Sequence, residues 1–501
     1  MKAPSPVPTT SVLSTLGAAL LALALGGCAH IPADPGPLAQ SDFARAQHAA
    51  SIRLARDGWP EALWWTSFHD AQLDALVKQA LHDSPSLSVA ATRVASARAA
   101  LGVEHSAGGA QAGFGVGANR QRYSGNGLFP EPIGGNYFND AALGLKASYD
   151  FDWWGKHRAL VAAALGEVNA RAADYSQAEQ TLSNAVAQSY FRLQLLWARG
   201  ANAEAMAALQ RAVIADKAAR IAHGLANIDE QRDAERELGM LGEQAGALAT
   251  QAGREREALR ALVNAGADGL AQLAPRPAVA PVASLPAQLG LELLARRADL
   301  QAARWRVEAT LGRVAASRAA YYPDINLVGA VGLDAVSLGK LLHPESLTML
   351  LGSTIELPLF DSGRLDTRFG AARAGRDEII ADYNQAVLHA VSEVAAEGVT
   401  LQGIERQAKA HKASAQASAA LAATADRRRR QGLADNAAVL QARQAVLRQE
   451  DTRLQLQDAG LQTELALIKA LGGGYRAAAP RSTSDVPDIT SVTSTTSIQQ
   501  H

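Results

Sequence analysis

The chain has 501 residues, enough for several compact domains, yet its formal net charge is only −1 and it holds a single cysteine. The near-neutral balance gives no global basic field for nucleic acid, and one cysteine excludes a disulfide framework or a cysteine cluster. The eleven histidines show no paired ligand spacing and no phosphate-cradling glycine loop follows a strand, so no enzymatic activity, cofactor or metal is expected.

Residues 1–27 read as an export leader. Lys2 supplies a weak positive start, and Val12 to Leu25 is an apolar run too short to span a bilayer as a mature helix. It closes on Leu25-Gly26-Gly27-Cys28, which resembles the lipobox of bacterial lipoproteins, so Cys28 is the expected lipid-attachment residue. The rest divides into a linker and first repeat over 28–270, a proline-rich connector over 271–287, a second repeat over 288–478 and a Ser/Thr-rich tail over 479–501.

Within the first repeat, Leu73, Leu76, Val77 and Ala80, then Leu87, Ala90, Ala91, Val94 and Ala97, recur at helical spacing. Ser84-Pro85 restarts that helix. Two strands are predicted next, Gln111 to Ser124 and a run in which Leu143, Leu145, Ala147, Tyr149 and Phe151 alternate with polar or glycine positions. Gly125 to Asn139 reads as the loop between them. A proline-free, alanine-rich helix from about Lys156 to Ala222 follows, then a Gly224-Leu225-Ala226 turn and a return helix from about Glu230 to Val263.

The second repeat restates this plan. A helix over Arg306 to Tyr321 ends at Tyr322-Pro323. Ile325, Leu327, Gly329, Val331 and Leu333 alternate along one strand, and Leu351, Ser353, Ile355, Leu357 and Leu359 along another, with Asp334 to Ser346 as the loop. A second long helix runs from about Arg364 to Arg430, turns at Gly432-Leu433-Ala434 and returns from about Asn436 to Leu471. Gly155 and Gly363, Gly224 and Gly432, and Leu193 and Leu401 are each 208 positions apart. A constant offset of this kind signals a duplication and therefore two similar halves.

Four strands of this two-residue period suit a lipid-facing sheet better than a soluble one, because their neighbours are helices far too long for a globular core. Four strands cannot close a barrel, and lipid does not tolerate open edges. Oligomeric closure is therefore required. The basic run Arg427 to Arg430 reads as a solvated helix end.

These residues resemble the TolC/NodT family of outer-membrane efflux lipoproteins. The resemblance covers about Trp64 to Gly473. It rests on Cys28 in the lipobox, Trp64-Trp65-Thr66-Ser67-Phe68-His69-Asp70 with Leu73, Arg297-Ala298-Asp299-Leu300 with Ala302, Tyr322-Pro323, and Pro358-Leu359-Phe360-Asp361-Ser362-Gly363-Arg364. One departure is Ala298, where the family usually has proline. The resemblance implies an α+β membrane fold: a homotrimeric 12-stranded transmembrane β-barrel, four strands from each subunit, continued by a 12-helix periplasmic α-barrel. It implies a passive exit duct for small toxic compounds or drugs in a tripartite pump of the outer membrane. The partners would be a periplasmic adaptor protein and an inner-membrane transporter, resistance-nodulation-division type first, with outer-membrane lipid around the barrel. Acidic residues near the helical tips constrict the entrance in this family, which points to Glu230, Asp233 and Asp435 beside the tip turns at Gly224 and Gly432. Asp229, Glu230 and Asp233 read equally as the favourable charges of a helix N-terminus. Arg232 or the Arg427–Arg430 run are candidates to pair with them. An outer-membrane channel for type I protein secretion shares the fold and is the alternative function.

Overall fold

The computed structural model describes residues 31–40, 59–277 and 296–476. The leader with Cys28, much of the connector and the tail lie outside the described residues. In the first half, α1 (Ala71–Asp83) and α2 (Pro85–Ala107) lead to β1 (Gln111–Arg122) and β2 (Tyr137–Asp150), then to α3 (Lys156–Ala222) and α4 (Ile228–Leu262). In the second, α5 (Ala298–Ala319) leads to β3 (Asp324–Ala335) and β4 (Leu347–Glu356), then to α6 (Arg364–Arg430) and α7 (Asn436–Ala470). The duplication is metrically tight: α3 and α6 each have 67 residues, and α4 and α7 each have 35. At 1.5 Å per residue the long helices reach about 100 Å.

Local chemistry starts each long helix in the same way. Asp152 accepts hydrogen bonds from the backbone N–H of His157 (3.0 Å) and Arg158 (2.9 Å) at the head of α3. Asp361 accepts from Gly363 (3.0 Å) and Leu365 (2.8 Å) at the head of α6. Gly155 and Gly363 sit at these starts with φ of +74° and +81°. An aspartate just ahead of a left-handed glycine thus heads both long helices, at a spacing of three residues in the first half and two in the second.

The helices form a wall one layer thick. Near the sheet α3 is flanked by α2 and α5, farther away by α4 and α7, and α6 closes the row against α5 and α7. The α3–α5 crossing is close because both sides are small: a Cβ on Gly312 would stand 2.7 Å from the Ala159 carbonyl oxygen, and one on Gly166 would stand 3.0 Å from the Ala309 nitrogen. The largest buried cluster lies midway, where Trp64, Trp65, Phe68, Leu73 and Val77 pack on Tyr190, Phe191 and Leu193 of α3 and on Leu461, Leu465 and Ile468 of α7. The Tyr190 hydroxyl donates to Asp70 at 2.6 Å, and Asp70 also caps α1 through the N–H of Gln72 and Leu73. Burial and that carboxylate together push the Tyr190 phenol well above its ordinary pKa.

All four strands are antiparallel in the order β1-β2-β3-β4. On one face the register stacks large apolar side chains into rows. Phe114, Leu145, Val331 and Met349 are mutual neighbours across the sheet, and so are Val116, Leu143, Leu333 and Leu347. Phe114, Val116, Leu145 and Met349 are each more than half exposed within the subunit. The other face is mixed, with glycine, alanine, Lys146, Asp150, Asn326, Thr348 and Thr354 beside Val328 and Leu350. One face is built for hydrocarbon and the other for water.

The fourth strand differs from the expected one. It keeps the expected face but spans Leu347–Glu356 rather than Leu351 to Leu359, so Leu357 and Leu359 lie past its end. Pro323 and Pro358 explain the stop: the last pair of the ladder is Asp324 with Glu356, and a proline just outside each end has no N–H to extend it.

Candidate functional site

The end of the wall remote from the sheet is where the sequence placed the tip residues. Each long helix closes there with the same hydrogen-bond pattern. At the first tip the Leu225 N–H donates to Arg220 O at 2.8 Å and Gly224 N–H to Ile221 O at 2.9 Å. At the second, Leu433 N–H donates to Arg428 O at 2.8 Å and Gly432 N–H to Arg429 O at 2.9 Å. Gly224 and Gly432 take φ of +68° and +74°, the left-handed conformation that ends a helix without a Cβ clash.

The return helices are capped by different residues. Asn227 accepts from Asp229 N–H at 3.3 Å to start α4. Asp435 accepts from Ala438 N–H at 3.0 Å to start α7. Asp435 is bifunctional, because its second oxygen pairs with Arg220 of α3 at 3.1 Å. Glu230, in the first turn of α4, pairs with Lys217 of α3 at 2.9 Å. That hydrogen bond, reinforced by the ammonium charge, holds the Glu230 carboxyl below the usual carboxylate range. Asp233 faces Arg236 at 3.7 Å along its own helix.

Of the expected counter-charges, Arg232 pairs with Asp229 at 3.6 Å, whereas among the described residues no ion pair joins the Arg427–Arg430 run to Glu230, Asp233 or Asp435. Arg427 donates to Thr424 instead, as a solvated helix end does. Lys217 and Arg220 were not read as site residues. Nothing local marks them, since their partners lie 13 and 215 positions away.

Above the tip the two hairpins are laced together by polar contacts. Asn436 donates to Asp216 at 2.9 Å, Gln210 donates to Ala234 O at 2.9 Å, and Gln444 donates to Gln210. Arg448 meets Glu237 at 3.5 Å and Arg199 meets Asp451 at 3.0 Å. Between α3, α4 and α7 lies an open cleft of about 400 Å³ lined by Lys217, Arg220, Glu230, Asp233 and Gln441. Charged and open, it suits contact with ions or another protein surface better than enclosure of an apolar ligand.

The other end of the wall meets the sheet through aromatic side chains. Trp154 stacks on Tyr322 with centroids 4.6 Å apart and donates its indole N–H to Pro323 O at 2.8 Å. Trp153 is 66% and Phe360 89% exposed, a belt of large rings where the apolar sheet face ends. The Tyr321 hydroxyl donates to Asp366 at 2.7 Å and its ring meets Phe369 edge-on. Residues 31–40 are strapped against this end of α6. Ile31 joins the cluster of Val314, Tyr321, Leu365 and Phe369. Arg376, only 2% exposed, donates to both oxygens of Asp34 (2.9 and 3.3 Å) and to Gly36 O (2.8 Å). The Asn384 side chain donates to Ala39 O at 3.0 Å.

Comparison with known proteins agrees with this geometry. The family model "Outer membrane efflux protein" matches residues 76–265 and 289–473, one block on each repeat. The multidrug resistance outer membrane protein MdtP of Shigella flexneri is 35% identical over 477 residues, covering 93% of this chain and 96% of MdtP. The outer membrane protein VceC of Vibrio cholerae has a crystal structure that superposes with a TM-score of 0.75 at 30% identity, over 83% of this chain and all of VceC. The Campylobacter jejuni CmeC outer membrane channel shares the fold, with a TM-score of 0.77 at 21% identity over 90% of this chain and 95% of CmeC. The chain belongs to the outer membrane efflux protein family. Its fold is that of the family's channels, a stretch of outer-membrane β-barrel wall continued by an α-helical barrel wall, and its role is transport without enzymatic chemistry.

Proposed function

We propose that this outer membrane efflux protein acts as a homotrimer and passively conducts small toxic compounds or drugs across the periplasm and outer membrane. One observation carries the reading: a four-stranded sheet, apolar on one face and polar on the other, has both outer edges unpaired within the chain and continues into helices of about 100 Å. Each unsatisfied backbone group in hydrocarbon costs several kcal/mol, so the edges need strands from further copies. Three copies give twelve strands and twelve helical passages. A periplasmic adaptor would seat on the charged tips, and an inner-membrane transporter, of resistance-nodulation-division type by preference, would supply the energy. The multidrug resistance assigned to MdtP favours small molecules over protein export.

Light scattering of the detergent-solubilised protein, with planar-bilayer conductance, tests the duct. A trimer that conducts is expected, and a folded monomeric species overturns the reading. Removing the gene should increase susceptibility to dyes and antibiotics, restored by the intact gene.

Lipid attachment at Cys28 belongs to the same proposal. Ile31 is docked at the sheet end of α6, and three residues span at most about 11 Å. Acyl chains on Cys28 would therefore enter the periplasmic leaflet beside the barrel. Mass spectrometry of the mature N-terminus decides this, because an unmodified Cys28 or a cleavage elsewhere ends the idea.

The tip acids Glu230, Asp233 and Asp435 are proposed to narrow the periplasmic mouth, held closed in part by Lys217 and Arg220. Single-channel recordings of a Glu230→Ala, Asp233→Ala double variant should show altered conductance and weaker cation preference. Unchanged values would reduce these acids to helix-end charges.

A further inference from the structure

Two arginines at the outer end of β1 have no role in the duct. Arg120 and Arg122 continue the series Ala112, Phe114, Val116 and Ala118, so they lie on the apolar, outward face of the sheet. Each is exposed, and among the described residues neither has a carboxylate within ion-pairing distance. What holds them is Tyr137 of β2, directly opposite Arg122. The guanidinium carbons of Arg120 and Arg122 stand 5.2 and 6.0 Å from its ring centroid. One aromatic ring thus gathers two like charges that would otherwise repel, without using their N–H groups.

Their height is set by the register. Arg120 pairs with Asn139, and the inner aromatic belt begins at Tyr149, ten residues along β2. Ten residues make about 34 Å of strand, or about 26 Å of height at a tilt near 40°. That is the height of the apolar band of an outer-membrane barrel, about 25 Å. The two guanidiniums therefore sit just above the hydrocarbon, on the side away from the periplasmic helices, at the headgroup level of the outer leaflet.

We propose that Arg120 and Arg122, gathered on Tyr137, bind the phosphate groups of a glycolipid of the outer leaflet. Guanidinium groups present paired N–H donors that match phosphate oxygens, and an outward position at the end of the apolar band selects a phosphate that arrives on acyl chains. The proposal rests on the barrel reading above and adds a specific lipid contact to it.

Native mass spectrometry of the purified, conducting trimer tests it with three probes: a bisphosphorylated lipid A, the same glycolipid without its phosphates, and inorganic phosphate. The bisphosphorylated form should bind about thirtyfold more tightly than the dephosphorylated one, at about fivefold per arginine near an anionic headgroup. R120Q/R122Q should lower its binding to the dephosphorylated level, and R120K/R122K, which keeps the charge but loses the paired donors, should fall between. Equal binding of the two glycolipids, or full binding by R120Q/R122Q, overturns the proposal. Competition by inorganic phosphate at the glycolipid's own concentration overturns it as well, since the site would then read free phosphate. A wild-type protein that fails to form a conducting trimer counts against the duct itself. A conducting trimer indifferent to the phosphates counts against this contact alone.

Discussion

The first long helix and the second have the same length, the same type of start and the same glycine turn, yet the two halves are secured differently. Midway along the first, a cluster of rings closes over one hydrogen bond, from the Tyr190 hydroxyl to the Asp70 carboxylate. The second relies on a buried cation. Arg297, 8% exposed, donates to Asp299 at 2.7 Å, Glu393 at 2.8 Å and the carbonyl of Ala470 at 2.8 Å, tying the start of α5 to α6 and to the end of α7. The tips differ as well: Glu230 has no acidic counterpart, since Ala438 stands at the equivalent place after Gly432. A repeated backbone therefore tolerates distinct chemistry wherever the two copies meet different neighbours.

The largest effect expected from breaking this comparison is at Arg297. Arg297→Ala removes the shared partner of the Glu393 and Asp299 carboxylates, each about a third exposed, and should destabilise the protein by at most about 3–5 kcal/mol in a thermal or denaturant melt. Tyr190→Phe, its opposite number in the first half, should cost about 1–3 kcal/mol by leaving a buried Asp70 oxygen without its donor. Similar losses at both positions would erase the distinction drawn here.

The turns test the likeness rather than the difference. Gly224→Ala and Gly432→Ala each force a Cβ into the left-handed region, so each should cost about 1–2 kcal/mol, and the two values should agree. The smallest effect is that of Glu230→Gln, read as channel opening against pH. Because Lys217 lowers the Glu230 pKa, the link is complete above about pH 4.3, the ordinary glutamate value, and is lost as pH falls through the lower folded value. If the tips gate the duct as proposed, wild type should open more readily on acidification, and Glu230→Gln should open slightly more readily at neutral pH and respond less to acid, because the Asp435–Arg220 pair remains. Equal pH responses would remove this link from the gate.

How much of this was legible in sequence depended on the range of the interaction. The caps at Ser84-Pro85 and the turns at Gly224 and Gly432 are local chemistry, and they lie where the residues placed them. Strand faces were legible because a period of two is unambiguous. The ends of β4 were not, because the apolar pair Leu350-Leu351 blurs the alternation and Leu357 and Leu359 prolong it past Pro358. The acids at the tip were found through the glycine turns, but Lys217 and Arg220 emerge only once α3 is laid beside α4 and α7. Residues 31–40 read as plain linker. Their docking depends on Arg376, more than 300 positions away.

The matched lengths of α3 and α6 also limit how such a chain can change over time. Adding one residue to a single long helix advances its tip by about 1.5 Å and turns it by about 100°. The turn at Gly224 would then no longer sit level with the turn at Gly432, and Asp435 would lose Arg220. Insertions and deletions in these helices are therefore tolerated only in matched pairs, one in each repeat, and the reach of the duct evolves in steps taken twice.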